Sequence, residues 1–417
     1  MRRTLLPTLL LAVAAAILVA TPASAQEAPP GSLAVSLFTR VGDPGQPEGL
    51  WVDDAGTVYV GTHNAGNGDT DAPSKVFAYG PDGTLLREYV IEGQDVEGQN
   101  GILGMAADAE GVLYILDRAP ARVLTLDPRT GEQGTYATFR DVPSCAAADD
   151  DQCSEAVVDL APFPDYPVFA ADGTMYVTDL EQGLIWRVPP GGGEGEVWFT
   201  DARLESVFGP NGIQFLEDGR TLLFAQTGSA PPGTTDLGTG KLYTLPVEAD
   251  GSPGELEVLW EGRPLDGPDG FAIARSGNIY VALAGANQVL VLGPGGEELA
   301  RVPATPLGNE QQEVPFDTPA SVAFLGDQVL VTNQSFFTGR ESSWAVLSVD
   351  AGEDPLPFFR PDVTATERDA GADDGDATAA PGPAAGPALP ATGGGGTIPA
   401  ALILLLLALR LRRHAPA

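Results

Sequence analysis

The chain has 417 residues, 43% of them hydrophobic, enough for one large domain or two ordinary ones around a sizeable core. Its 52 glycines and 37 prolines favour many short strands and turns over long helices. A formal charge of -35, with Lys75 and Lys241 the only lysines, argues against nucleic acid as a partner, because phosphate contacts need clustered Lys and Arg.

Residues 1–25 read as a secretory signal peptide. Arg2 and Arg3 supply the charged start, Leu9 to Ala20 the apolar run, and Ala23-Ser24-Ala25 the small residues of a cleavage site before Gln26. The mature chain is therefore expected outside the cell. Between residues 33 and 350 one pattern recurs six times. A short strand follows a glycine or turn: TVYVGT (57–62), VLYILD (112–117), TMYVTD (174–179), TLLFAQ (221–226), NIYVAL (278–283) and QVLVTN (328–333). A second strand follows each, as in KVFAYG (75–80) and QVLVLG (288–293), and most units add a third, as in LLREYVI (85–91). Together with the segment before each first strand, every unit supplies four strands, and the period is that of a propeller blade. The expected fold is all-β, a six-bladed β-propeller over residues 31–355. The sixth unit lacks its last strand, and LAVSLFTRV (33–41) is expected to complete it and close the ring, which removes exposed strand edges.

The two cysteines, Cys145 and Cys153, lie close together, and in an oxidising compartment a disulfide closing one short loop is expected. The alternative reading gives Asp149, Asp150 and Asp151 a small cation site there. Residues 361–388 are rich in Ala, Asp, Gly and Pro and carry too little apolar surface to offset ordering entropy, so they read as a disordered stalk.

Within the repeats, four decapeptides share one frame: PEGLWVDDAG (47–56), PDYPVFAADG (164–173), PNGIQFLEDG (210–219) and PDGFAIARSG (268–277). Each begins with proline and then an acid or its amide. At the start of an innermost strand, Glu48, Asp165, Asn211 and Asp269 would meet at one height around the axis. Blades 2 and 6 have Leu103 and Ala320 there, so the fold does not itself require an acid. Turn chemistry alone also produces PEG, PNG and PDG. Three carboxylates and an amide oxygen facing one cavity suit a hard divalent cation, calcium foremost, with magnesium or manganese possible; zinc is disfavoured because no His or Cys joins the set.

PEGLWVDDAGTVYVGT, GPNGIQFLEDGRTLLFA and GPDGFAIARSGNIYVAL resemble the gluconolactonase and regucalcin (senescence marker protein) family, and more distantly paraoxonases and strictosidine synthase. The resemblance spans most of residues 40–350. It implies a six-bladed propeller with a central calcium-type metal, held by Glu48, Asn211 and Asp269, with Asp165 where the family has a further asparagine. Phe163 stands where many members carry an arginine that holds a sugar lactone, which points to a more apolar substrate or to none. Separately, LPATG (389–393), an apolar stretch (398–409) and the basic tail RLRRH (410–414) resemble the sortase-recognised cell-wall sorting signal of Gram-positive surface proteins. That resemblance implies recognition of Leu389, Pro390, Ala391, Thr392 and Gly393, cleavage after Thr392 and attachment to peptidoglycan. A plain C-terminal membrane anchor is the alternative, and both place the protein on the outer surface.

The expected function is metal-dependent hydrolysis of a lactone or ester, with Asp269 or Asp165 as general base and His63 and Phe163 at the substrate. No GxSxG elbow or Cys–His pair supports covalent catalysis. The rival expectation is a non-catalytic surface binder of a protein or glycan, using the insertions 62–74, 226–240 and 333–343 with Phe336, Phe337 and Trp344.

Overall fold

A computed structural model describes residues 28–63, 72–96, 100–230 and 238–363. Their strands form six antiparallel sheets in a ring, a six-bladed propeller. Blade 1 comprises Pro47–Val52, Val58–Thr62, Lys75–Tyr79 and Leu85–Val90. Blades 2 to 5 repeat that order from Ile102–Ala107, Pro164–Phe169, Pro210–Phe215 and Pro268–Ile273. Blade 6 takes Pro319–Leu325, Gln328–Asn333 and Ala345–Asp350 from the C-terminal side and Val35–Arg40 from the N-terminal side. Val35 stands opposite Val349 and Arg40 opposite Ala345, so the first strand completes the last sheet.

The burial pattern follows from blades packed face to face. Second strands such as Val58–Thr62, Leu113–Asp117 and Ile279–Leu283 are buried throughout, because each face meets a different neighbouring blade. They therefore read as continuous apolar runs and not as alternations. The described residues form six buried apolar clusters, one for each blade interface. The outermost strand Leu85–Val90, by contrast, buries only Tyr89. One pairing lies outside the simple repeat. Gly193–Glu194, from the turn before the last strand of blade 3, adds a parallel fifth strand to Gln133–Thr138 of blade 2. Between blades 2 and 3, Cys145 and Cys153 are joined by a disulfide, and Asp149, Asp150 and Asp151 are exposed.

After blade 6 the chain crosses the end of the ring at the turns between first and second strands. The Arg275 N–H donates to the Asp354 carbonyl, and the Leu356 N–H to that of Ile273, both on blade 5. Phe359 then packs on Phe215 of blade 4 with ring centroids 5.8 Å apart. Phe358 meets Trp51 of blade 1 at 5.1 Å, and Arg360 grips Asp54 at 2.5 and 2.9 Å. The Ala109 N–H of blade 2 donates to Pro361, and Val363 joins the cluster between blades 2 and 3. Residues 353–363 thus strap five blades together at the end opposite the proline-led strand starts. No helix among the described residues is long and apolar enough to cross a membrane. The signal peptide, most of the stalk and the segment 389–417 lie outside the described residues.

The strap's aromatic contacts are remote from the opposite end of the axis. Phe359→Ala is expected to cost about 2 kcal/mol, below the range for a fully buried phenylalanine because this ring is only half-buried. Denaturant unfolding measures it, and an unchanged midpoint would show that the strap contributes no stability.

Candidate functional site

The proline-led motif marks a β-bulge. In every blade the inner strand pairs normally at its first residue, skips two, and resumes: Pro47 then Leu50, Ile102 then Met105, Pro164 then Pro167, Pro210 then Ile213, Pro268 then Phe271, Pro319 then Val322. A bulge takes residues out of the ladder and re-aims their side chains. The skipped residues include Glu48, Leu103, Asp165, Asn211, Asp269 and Ala320, one from each blade. The glycine after the acid answers a steric demand. A Cβ on Gly49 would lie 2.1 Å from the Leu103 carbonyl oxygen, and one on Gly270 would lie 2.5 Å from the Tyr166 hydroxyl. Blade 3 departs by placing Tyr166 there. Its ring uses the space left by Gly104 and Gly270, and its hydroxyl bonds Ser321 across the axis.

A second ring lies above the first. The residue after each second strand sends its N–H to the carbonyl just before the inner strand: His63 to Gln46, Arg118 to Gly101, Leu180 to Phe163, Thr227 to Gly209, Ala284 to Gly267 and Gln334 to Thr318. All six line one cavity, with Glu48, Asn211 and Asp269 at its floor and Phe163, Phe208, Phe336 and Phe337 among its walls. Asp165 is fully buried and is not part of the cavity lining. Trp344, the other aromatic considered for ligand contact, is buried against Gly45.

The polar groups are held unevenly. Gln334 Nε2 donates to Glu48 Oε2 at 2.5 Å and lies 3.3 Å from His63 Nδ1. Asn211 Nδ2 donates to Thr227 Oγ1 at 3.1 Å, while its Oδ1 accepts from the Gly212 N–H. Asp269 Oδ1 accepts from the Gly270 N–H at 2.9 Å. Among the described residues, neither carboxylate oxygen of Asp165 has a hydrogen-bond partner. Burial first, then the charge of Asp269, holds the Glu48 carboxyl well above its ordinary range, and Arg118 opposes this. Burial and then Glu48, Asp269 and Asp179 do the same to Asp165. Burial carries Asp269 up to about 7. Burial and then Arg118 push His63 down to about 3, so the imidazole is neutral and its 3.4 Å contact with Glu48 is not an ion pair.

Sequence reasoning did not single out Arg118, Glu181, Gln334 or Tyr166. The guanidinium of Arg118 lies 4.1 Å from the centroid of the Phe163 ring and 4.0 Å from Glu181. The signal was register: Arg118 and Gln334 occupy the position of His63 in their own blades, directly after the second strand.

The four bulge residues suit a divalent cation better in chemistry than in spacing. Their chemistry fits, since buried carboxylates that raise one another's pKa and an orphaned Asp165 are what a cation would satisfy. Their spacing is looser: among the described residues no group of three or more His, Cys, Asp or Glu side chains is disposed to hold a metal ion. Glu48, Asn211 and Asp269 each accept from a nearby N–H, and Asn211 also bears on Asp269.

The SMP-30/Gluconolactonase/LRE-like region family matches residues 202–333, which include Asn211 and Asp269. Among solved structures, regucalcin from Agrobacterium tumefaciens, a calcium-binding protein, is 18% identical over 78% of this chain and 98% of its own, with a TM-score of 0.51. The PQQ-bound aldose sugar dehydrogenase from Streptomyces coelicolor is 15% identical over 78% and 99%, with a TM-score of 0.52. A provisionally named gluconolactonase is 18% identical over 78% and 93%, with a TM-score of 0.51. At these identities the likeness is one of fold. No curated protein sequence matches the chain.

The buried acids set a pH dependence of stability. Burial raises Asp179 to about 6 and Glu181 to about 7, above their ordinary values of 3.8 and 4.5. The unfolded chain therefore releases these protons first as pH rises. Their contribution is complete below about pH 4 and is lost as pH passes through 6 to 7. In a chelator, the unfolding midpoint should fall between pH 5 and 8, by on the order of 2 kcal/mol in stability. Glu181→Gln should flatten the slope, and a midpoint that rises with pH would contradict the assignment.

Proposed function

We propose that this chain is a hydrolase of lactones or esters acting in the axial cavity. The observation that carries the reading is the convergence of Glu48, Asn211 and Asp269 on one cavity floor, with Asp165 buried and unpartnered on the same ring of bulges. The partial family match supports it, because that match contains two of these four positions. Glu48, Asp165, Asn211 and Asp269 would hold a divalent cation, calcium by the hardness of their oxygens. Bound there, such an ion supplies Lewis-acid polarisation of a carbonyl and a more acidic water.

The chain's own residues perform the rest. Asp269, open to the cavity, takes a proton as the oxygen of water bonds to the carbonyl carbon. The carbonyl carbon–oxygen single bond breaks, and the proton passes to the departing alkoxide. A lactone thus gives a hydroxy acid, and an ester gives an acid and an alcohol. Neutral His63, with Gln334, fixes the Glu48 carboxyl. Phe163 and the other aromatic walls exclude water and favour an apolar substituent over a polyhydroxylated sugar.

Turnover of a panel of aliphatic lactones and aryl esters tests this directly. Activity should disappear in EDTA and return with calcium. Asp269→Asn should lower kcat about 10²-fold or more, and Glu48→Gln should weaken calcium binding in calorimetry. Activity indifferent to both chelation and Asp269→Asn would overturn the mechanism. Absence of turnover together with absence of calcium binding would leave a non-catalytic ligand-binding propeller.

We further propose that the protein is exported and anchored at the cell surface. The ordered succession of signal peptide, LPATG, apolar stretch and basic tail supports this. In a sortase-bearing host, wild type should fractionate with peptidoglycan and Thr392→Ala should not. A wild-type protein released by detergent alone would identify a membrane anchor instead.

A further inference from the structure

Arg118 has no hydrogen-bond partner for its side chain among the described residues. Its one ion pair, with Glu181, is at 4.0 Å, the outer limit of such a contact. The guanidinium is nonetheless largely withdrawn from solvent, with 15% of its side-chain surface exposed, and it lines the cavity. A guanidinium carries five N–H donors in a planar fork, and those of Arg118 are not sealed in the core but open on the cavity. The Phe163 ring lies against this group, with the guanidinium carbon 4.1 Å from the ring centroid. The N–H donors remain for a ligand, and a guanidinium binds carboxylates in bidentate fashion. The cavity the group faces mixes apolar walls, Leu180, Val207, Phe208, Phe336 and Phe337, with the carboxyls of Glu48 and Glu181, whose charges act on Arg118.

The backbone fixes the residue firmly. The Arg118 N–H is bound to the Gly101 carbonyl, as at the matching position in each blade. In those other five blades the matching side chain is His63, Leu180, Thr227, Ala284 or Gln334, none of them a cation while His63 is neutral. The cavity's second ring therefore contains a single permanent positive charge.

We propose that Arg118 is the anion-binding residue of this cavity and that the ligand is a carboxylate carried on an apolar, flat-faced body. It rests on the hydrolase reading for its place in the reaction, since hydrolysis of an ester or lactone creates such a carboxylate beside the aromatic walls. Phe163 positions the guanidinium, and Glu181 competes with the ligand for its donors. Arg118 thus sets specificity, and it lies outside the proton-transfer machinery.

Calorimetry with phenylacetate and its neutral isostere phenylacetamide tests the proposal without relying on turnover. Wild type should bind the acid at least tenfold more tightly than the amide. Arg118→Gln should abolish that preference, Arg118→Lys should retain part of it, and Glu181→Gln, which keeps the arginine and frees its donors, should strengthen acid binding several-fold. Equal binding of acid and amide by wild type, no binding of either, or a preference that survives Arg118→Gln would each overturn it. If Arg118→Gln does not fold, the Glu181→Gln result decides: unchanged or weaker acid binding counts against the proposal. An acid preference in a protein that hydrolyses nothing would remove the hydrolase reading and leave this one standing.

Discussion

Pairing of Val35–Arg40 with Ala345–Asp350 is the interaction on which the molecule depends. It joins segments more than 300 residues apart and turns a row of sheets into a closed ring. Closure matters for two physical reasons. It removes the free edges that a six-sheet array would otherwise present. It also brings the inner strand of blade 1 against those of blades 2 and 6, so six equivalent strand starts share one axis. Without it, Glu48 has no fixed relation to Asp269.

Each blade then repeats the same local device. A bulge at the inner strand's second and third residues releases one side chain toward the axis, and the next residue after the second strand adds another above it. The scaffold is thus uniform, and the chemistry is written only in which side chain occupies each slot. Acids and an amide occupy four of the six lower slots. The upper slots hold His63, Arg118, Thr227 and Gln334 beside Leu180 and Ala284. The result is a polar floor under largely apolar walls, while the strap of residues 353–363 ties the blades together at the far end. Low polarity around the floor raises the pKa of every acid there and depresses that of His63, so burial governs the electrostatics more than any single ion pair.

The four-strand repeats, the closing strand and the recurring acid slot were legible because each is a matter of order along the chain. Blade packing writes continuous apolar runs, glycines and prolines punctuate them, and the N-terminal strand resembles the piece missing from blade 6. Arg118, Gln334 and the cross-axis role of Tyr166 were not read. Arg118 looks in isolation like any charged turn residue after a strand, and Tyr166 looks like a glycine replaced. Their meaning depends on neighbours from other blades: Phe163 beneath the guanidinium, and Gly104, Gly270 and Ser321 around the phenol ring. The strap was equally hidden, since EDPLPFFRPD has no periodicity and its partners Trp51, Phe215 and Asp54 lie 130 residues or more away in sequence.

By itself, then, the sequence determined the fold class, the number of blades, the manner of closure and which side chains stand at equivalent places, because local propensity and repetition suffice for those. Only the tertiary structure decided which of them share a cavity, which acid is left without a partner, and that a guanidinium packed on Phe163 lines that cavity. Those properties arise from distances and burial between blades, which no single repeat contains.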